Sequence, residues 1–143
     1  MVNQIFLNLP VKNLPETMAF FTKLGFEFNM QFTDENAACL ILGDNIFAML
    51  LTEPFFNTFT TKRIADTATT AAAIFAMSVD DRHKVDAMIA SAIQAGGHES
   101  RPAQDHGWMY GRSFTDLDGH NWEVFFMDAS AMPAPAEAVR QEA

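Results

Sequence analysis

The chain gives the same order of secondary-structure signals twice. An alternating strand is followed by a helix that begins at a capping residue and ends at glycine. Three further strand-like segments come next, with a Gly-Asp or Asp-Gly turn before the last of them. The two copies occupy about residues 1–52 and 72–128, so the repeat is one of architecture more than of residues.

Such a repeat predicts an α+β fold of two βαβββ units. A four-stranded sheet with one helix buries only one of its faces, and the other face must meet something else. If two such sheets curve together, they form a cup-shaped, partly open mixed β-sheet barrel with the helices outside. We therefore expect one domain over residues 1–128.

Local signals place the elements of the first unit. Residues 5–11 alternate as a strand, Asn13 caps a helix with Pro15 and Glu16 in its first turn, and Gly25 ends it. Strands are predicted at 26–32, 37–42 and 46–51. Residues 53–71, which include a Phe-rich loop, are interpreted as a linker and a possible lid.

The second unit follows the same plan. Residues 73–79 predict a strand, Asp80 or Asp81 caps the next helix, and Gly96 and Gly97 end it. Strands are predicted at 98–103, 108–115 and 121–127. Residues 129–143 are rich in Ala and Pro, so a mobile C-terminal tail is expected.

Composition excludes several classes of function. The formal net charge of −9 argues against nucleic acid as a partner, because phosphates require clustered Lys and Arg. The sequence has no run of about 18 apolar residues, so no membrane span is predicted. Residues 1–10 lack a basic region and a small-residue cleavage site, so no secretory leader is predicted. A cytoplasmic location is expected. Cys39, the only cysteine, is interpreted as a small core residue.

Alternation also assigns residues to the two faces of each sheet. Phe6 and Asn8 are expected inside the cup, as are Ile74, Ala76 and Ser78. Burying the charge of Arg112 beneath a packed helix would cost free energy, so Arg112 is expected inside the cup. Trp108 and Tyr110, which alternate onto the same side of that strand, are expected there as well. In the last strand the apolar set belongs under the helix, which leaves Glu123 and Phe125 in the cup.

Several segments carry a family resemblance. They are LPVKNL at 9–14, FF at 20–21, LGF at 24–26, SVD at 78–80 and DLDGHNWE at 116–123. Together they resemble the vicinal oxygen chelate superfamily, which includes glyoxalase I, bleomycin-resistance proteins, fosfomycin-resistance enzymes and extradiol dioxygenases. More narrowly, QFTDENAA at 31–38 and YGRSF at 110–114 resemble an uncharacterised branch described as predicted lactoylglutathione lyases. The resemblance covers roughly residues 5–128 and implies a glyoxalase-like fold.

The resemblance also implies a place for a metal. Metal-using members hold a divalent ion with four inward side chains, one each from the first and last strands of each unit. Here those positions hold Phe6, Met49, Ile74 and Glu123, and only Glu123 offers an oxygen ligand. We therefore expect no metal at the usual place and no cofactor. A divalent site from His98, His106 and Glu123 stays open as an alternative.

One pairing in the expected cup has two interpretations. Glu123 and Arg112, on neighbouring strands and both inward, are predicted to form an ion pair. The pair is either structural, or it is functional, with Arg112 binding an anionic ligand or Glu123 acting as a catalytic base. The predicted ligand pocket consists of Phe6, Asn8, Met49, Ile74, Trp108, Tyr110, Arg112, Glu123 and Phe125.

Three functions are consistent with these features. The first is a binding protein, similar to bleomycin-resistance proteins, that takes a small aromatic or cationic molecule without the usual metal. The second is a metal-dependent lyase or isomerase resembling lactoylglutathione lyase, with Glu123 as its catalytic candidate. The third is a dimeric structural module with a vestigial pocket. Members of the superfamily commonly pair, so a homodimer is expected.

Overall fold

A computed structural model describes residues 1–134, which divide into two compact units. Unit 1 contains Met1–Ala72 together with Asp116–His120, and unit 2 contains Ala73–Thr115 and the chain from Asn121 onward. Residues 53–71, predicted as a linker, therefore belong to unit 1. In the predicted tail, Ala129–Ala131 forms a short 3-10 turn, and residues 135–143 lie outside the described part of the chain.

Unit 1 has the predicted βαβββ order followed by a short helix. Its sheet has the strand order β1-β4-β3-β2, in which β1 and β4 are parallel and the other pairs are antiparallel. The elements are β1 (Ile5–Val11), α1 (Leu14–Lys23), β2 (Glu27–Asn29), β3 (Ala37–Gly43), β4 (Ile46–Thr52) and α2 (Glu53–Phe56).

The start and end of α1 confirm the sequence signals. The Asn13 side chain accepts a hydrogen bond from the Glu16 amide at 3.1 Å, which satisfies a free N–H group of the first turn. Gly25 follows the helix with φ of 98°, a left-handed conformation that costs glycine little. The helix buries Leu14, Phe20 and Phe21 completely or nearly so. Burial of this apolar face, more than helix propensity, stabilises α1.

The strand predicted at 26–32 is shorter in the structure. After β2, Met30–Phe32 forms a 3-10 turn, because the Asn29 side chain accepts a hydrogen bond from the Gln31 amide and redirects the backbone. Asparagine side chains commonly form such local hydrogen bonds in place of the strand ladder. The apolar alternation on both sides of Asn29 predicts a continuous strand, so the turn does not follow from the pattern.

Unit 2 repeats the plan with one strand divided in two. In its sheet β5 is parallel to β9, β9 is antiparallel to β8, and β6 and β7 both pair with β8. The elements are β5 (Ile74–Ser78), α3 (Arg82–Gln94), β6 (His98–Glu99), β7 (Gln104–Asp105), β8 (Met109–Thr115) and β9 (Asn121–Met127). The predicted strand at 98–103 is wrong beyond Glu99, since residues 100–103 leave the ladder around Pro102, which has no amide proton to donate.

Asp81, not Asp80, caps α3 by accepting a hydrogen bond from the Lys84 amide at 2.8 Å. The helix buries Val85, Ile89 and Ala92. With 13 residues, α3 is the longest described helix, and none of the helices in residues 1–134 has the length and apolarity needed to cross a membrane.

The turn between β8 and β9 belongs to unit 1, not to the unit that holds its two strands. The Asp118 carboxylate accepts hydrogen bonds from the Lys12 amide at 2.8 Å and from the Thr17 hydroxyl at 2.9 Å. The His120 Nε2 atom lies 2.8 Å from the Pro10 carbonyl oxygen. These bonds satisfy buried groups, since Thr17 is only 1% exposed and His120 is 8% exposed.

Candidate functional site

Each unit has one sheet face that its helix does not cover, which we call the open face. In unit 2 the helix-side face carries Phe114, Trp122 and Val124, all completely buried. Because directly opposite residues of antiparallel strands share a face, the register then assigns the other residues. The open face of unit 2 carries Ile74, Ala76, Ser78, Met109, Gly111, Ser113, Asn121, Glu123, Phe125 and Met127.

A hollow of about 310 Å³ lies on the open face of unit 2. Aromatic rings, thioethers and one carboxylate line it, so it is mostly apolar with a single negative group. The structure thus brings three of the predicted pocket residues together, Trp108, Glu123 and Phe125. The complete lining is Ala76, His106, Trp108, Met109, Glu123, Phe125 and Met127.

The prediction that Tyr110 and Arg112 share a face with Glu123 is wrong. Arg112 lies opposite Val124 and Tyr110 lies opposite Phe126, whereas Glu123 lies opposite Ser113. Tyr110 and Arg112 therefore lie on the helix side of the sheet.

Arg112 tolerates this position because carboxylates surround it. Its guanidinium donates to Glu99 at 2.9 and 3.0 Å and to Asp86, on α3, at 2.8 Å. The Tyr110 hydroxyl donates to the same Asp86 carboxylate at 2.6 Å. The cost of burying an unpaired charge, on which the prediction depended, is therefore not incurred.

These contacts shift three pKa values in the expected directions. The hydrogen bonds from Tyr110 and Arg112 lower the pKa of Asp86, because both stabilise its charged form. The same carboxylate raises the pKa of Tyr110, and burial adds to that increase. The Glu99 carboxylate raises the pKa of Arg112 further, so this guanidinium stays charged.

Glu123 pairs with Arg101 and not with Arg112. The Arg101 Nη2 atom lies 3.3 Å from Glu123 Oε2, and the Arg101 side chain is 56% exposed. Arg101 lies between β6 and β7, in a segment that ion pairs fix at both ends, Glu99 to Arg112 and Asp105 to Arg82. The carboxylate in the hollow thus has one long, solvent-exposed partner.

The remaining predicted pocket residues lie on the open faces of the two sheets. Phe6 stacks on Phe47 with ring centroids 4.8 Å apart, and Asn8 lies opposite Met49 in the parallel pair of β1 and β4. Both Phe6 and Ile74 are exposed. Whether these side chains bind a ligand stays a prediction.

The register supports the correspondence between the two units. Met49 of unit 1 lies beside Asn8, two residues after Phe6 in the parallel neighbour, and Glu123 of unit 2 lies beside Ala76, two residues after Ile74 in its own parallel neighbour. These are equivalent places in the two sheets. The correspondence of Phe6, Met49, Ile74 and Glu123 to the family ligand set stays what the resemblance implies.

The donor atoms at those four positions do not fit a catalytic divalent ion. Phe6 and Ile74 have no donor atom, and the Met49 thioether is too soft for such an ion. Among residues 1–134 no group of three or more His, Cys, Asp and Glu side chains is arranged to hold a metal. The structure does not bring the three residues of the alternative metal site together. His106 and Glu123 line the hollow, whereas His98 lies opposite Thr115, at the far end of β8.

The predicted ligand pocket lacks three residues of the hollow, Met109, Met127 and His106, the last of which the sequence suggests only as part of the alternative metal set. The Gly107-Trp108 pair between two strands is a typical two-residue hairpin turn, and it could have shown that His106 lies opposite Met109. Cys39 is buried, as predicted, and burial raises the pKa of its thiol, which disfavours the reactive thiolate.

A second hollow, of about 310 Å³, lies in unit 1 and is more polar. It adjoins the segment predicted as a linker and the Asp118 turn. Its lining is Pro10, Lys12, Glu53, Ile64, Ala65, Asp66, Thr67 and Asp118.

Two related βαβββ units with mixed sheets define an α+β protein of a recurrent architecture. The family model of the Glyoxalase/Bleomycin resistance protein/Dioxygenase superfamily matches residues 2–124, and the chain belongs to this superfamily. No curated protein sequence matches the chain significantly.

Solved structures confirm the glyoxalase-like fold. A hypothetical protein from S. aureus is 22% identical with a TM-score of 0.75, over 88% of this chain and 95% of that one. A glyoxalase/bleomycin resistance protein/dioxygenase family enzyme from Burkholderia phytofirmans is 12% identical with a TM-score of 0.73, over 85% and 96%. The fosfomycin resistance protein FosX from Mesorhizobium loti is 13% identical with a TM-score of 0.65, over 97% and 99%.

Proposed function

We propose that the chain binds a small aromatic molecule, with a preference for a cationic ring, in the hollow of unit 2, and that it does so without a divalent metal. The observation that carries this proposal is the lining of the hollow. Trp108 and Phe125 offer ring surfaces, Met109 and Met127 offer adaptable thioethers, and Glu123 offers one carboxylate.

The size of the hollow supports a compact ligand. Its volume of about 310 Å³ is near the lower end of the range of small-molecule pockets. The charge supports a cation, because an indole face attracts a positive group and the net charge of −9 raises the local concentration of cations. A planar ring that carries a protonated amine or a ring-nitrogen cation is both compact and positively charged.

The ion pair at Glu123 supports an exchange of partners. A pair at 3.3 Å with a largely exposed guanidinium contributes little to stability. A bound cation can therefore replace Arg101 at the Glu123 carboxylate at low cost. The carboxylate then neutralises the ligand inside an apolar site, where the interaction is stronger than in water.

A metal-dependent lyase or isomerase ranks below this proposal. That activity requires a divalent ion at a set of positions where only Glu123 has a suitable donor. We derive no reaction step through such an ion.

The test is a thermal-shift screen of aromatic amines and their uncharged analogues of the same shape, followed by calorimetry on the compounds that stabilise the protein. We expect saturable binding that is unaffected by a chelator and weakened at least about tenfold by Trp108→Leu or Phe125→Leu. Tyr110→Phe is the matched control, because Tyr110 lies on the helix side of the sheet and its loss of one hydroxyl leaves the hollow unchanged.

Two results would reject the proposal. If no aromatic compound stabilises the protein, the hollow is vestigial and the structural-module hypothesis is favoured. If purified protein holds a stoichiometric divalent ion and catalyses a reaction that Glu123→Gln abolishes, the enzyme hypothesis replaces ours.

We also propose that the chain forms a homodimer and acts in the cytoplasm. Exposed apolar side chains on the open faces, Phe6 at 46% and Ile74 at 66%, support association. The single buried cysteine, without a disulfide, suits a reducing compartment. Sedimentation analysis tests the dimer, and cell fractionation tests the location. A monomer at micromolar concentration would contradict the first, and recovery of the protein outside the cytoplasm would contradict the second.

A further inference from the structure

Three side chains with nitrogen or sulfur donors form one row across the sheet of unit 2. Met109 of β8 lies directly opposite Met127 of β9. On the other side of β8, Gln104 lies opposite Gly111 and Asp105 lies opposite Tyr110. The His106 amide donates to the Met109 carbonyl oxygen at 2.8 Å, which continues that register by one residue and sets His106 opposite Met109.

The three side chains project from the same face. Directly opposite residues of antiparallel strands point the same way, with Cβ atoms about 4.5–5.5 Å apart. Consistent with this, His106, Met109 and Met127 all line the hollow. Asp105, the neighbour of His106, points to the other side of the sheet, where it pairs with Arg82 at 2.8 Å.

An indole ring completes the group. The Trp108 ring lies beside the His106 imidazole, with centroids 6.4 Å apart and an interplanar angle of 27°, and it lines the same hollow. Met127 is 42% exposed, so an ion can reach the row from solvent. The Met109 sulfur lies over Gly111, where the absence of a side chain leaves the thioether room to move.

The chemistry of these donors selects a soft monovalent cation. Thioethers are neutral and polarisable, and they favour Cu(I) over the divalent ions that carboxylates bind. Imidazole is a good ligand for copper as well. A cation held here also gains from the indole face, and Glu123 in the same hollow balances its charge. Methionine has three rotatable bonds, so the two sulfur atoms can converge on one ion.

We propose that the His106 imidazole and the Met109 and Met127 thioethers bind one Cu(I) or Ag(I) ion, with the Trp108 ring covering it. None of the three donor residues is one of the four positions implied by the family ligand set, although Met109, Met127 and Trp108 also line the hollow of the ligand proposed above. It goes beyond the proposed function and does not depend on it.

The test uses Ag(I), which has the same preference for sulfur and is not oxidised during the titration. Because a thiol would compete, every protein carries Cys39→Ala, which removes the only cysteine. Calorimetry should show one ion per chain, and tryptophan fluorescence should change on binding. Trp122 is completely buried under α3, so a response lost in Trp108→Phe reports the proposed site.

Paired variants separate this site from binding elsewhere. Met109→Leu with Met127→Leu keeps the side-chain volume and should weaken Ag(I) binding at least about tenfold, since even residues that only orient a metal ligand are worth that much. His106→Gln should weaken it as well. Met30→Leu is the control, because Met30 is an exposed methionine of unit 1 and its loss should leave the affinity unchanged.

Unchanged Ag(I) affinity in the double methionine variant would overturn the proposal, provided that its melting temperature matches the parent protein. Binding of Zn(II) with the same affinity at the same residues would also overturn it, because the donor set is then not selective for soft ions. If no aromatic compound binds while the double methionine variant still weakens Ag(I) binding, this proposal stands and only the proposed function is rejected.

Discussion

Arg112 and Asp86 form an ion pair of 2.8 Å between β8 and α3, on the helix side of the sheet in unit 2. The same guanidinium binds Glu99 with two hydrogen bonds. One cation therefore connects the helix, the edge strand β6 and the central strand β8, and this network has a structural role in unit 2.

Replacing this cation should destabilise the protein. We expect Arg112→Met to lower the free energy of unfolding by about 1 kcal/mol, because Asp86 and Glu99, whose side chains are 50% and 29% exposed, both lose their charged donor. Urea unfolding measures the change. Lys84→Met is the control, since Lys84 forms an exposed pair with Asp80, and its midpoint should stay unchanged. Equal effects of the two substitutions would contradict the network.

The ionisation of Tyr110 should report the Asp86 contact directly, since Tyr110 is the only tyrosine of the chain. The Asp86 carboxylate raises its pKa above the ordinary value of 10.0, so the ultraviolet absorbance of tyrosinate should appear above that pH. Its stabilising contribution is complete below pH 10 and is lost as the pH rises through the raised pKa. Asp86→Asn should move the midpoint down, towards the ordinary value. A midpoint at or below 10 in the unsubstituted protein would disprove the contact.

Alanine substitutions at two glycines with positive φ should distinguish the cost of a strained backbone from the cost of a steric clash. Gly107 and Gly119 have φ of 79° and 83°, but a Cβ atom at Gly107 meets open space whereas one at Gly119 would lie 2.8 Å from the Thr67 carbonyl oxygen. Gly107→Ala should cost about 1–2 kcal/mol from the left-handed backbone alone. Gly119→Ala should cost more, since the Thr67 backbone must also move. Similar losses in thermal unfolding would exclude the close approach of Thr67.

Arg101 should compete with a cationic ligand for Glu123. Because the pair is long and exposed, Arg101→Ala should leave stability unchanged while it raises the affinity for an aromatic cation several-fold. Calorimetry with the compounds found by the screen measures the effect, and Lys12→Ala, in unit 1, controls for the change in net charge. An unchanged or lower affinity in Arg101→Ala would contradict this competition.

The sequence predicts the bounds of elements with strong local signals with single-residue precision. The bounds of β1 and β9 agree because each is a short, mostly apolar segment between polar residues. The cap of α1 at Asn13 and the glycines after both long helices are also local features. The strands at 26–32 and 98–103 were predicted too long because Asn29 and Pro102 interrupt ladders that the apolar pattern alone continues.

The candidate site was harder to predict, because its geometry depends on partners distant in sequence. The prediction for Arg112 is wrong because it depends on the cost of burying an unpaired charge. Asp86 and Glu99, which pair with Arg112, lie 26 and 13 residues away in the chain, so no local pattern reveals them. The location of Glu123 on the face away from α3, across from the apolar set of β9, follows from alternation within one strand and is confirmed. Trp108 joins Glu123, as predicted, but it does so from the turn before β8 and not from the strand itself.

The Asp118 turn has a consequence for how the chain matures on the ribosome. The Lys12 amide and the Thr17 hydroxyl find their acceptor 106 and 101 residues later in the sequence. Synthesis proceeds at about 5–20 residues per second, so the nascent N-terminal segment waits several seconds or longer with these donors unmatched. Its final structure is reached only after Asp118 has emerged, and pairings over such long separations make folding slow.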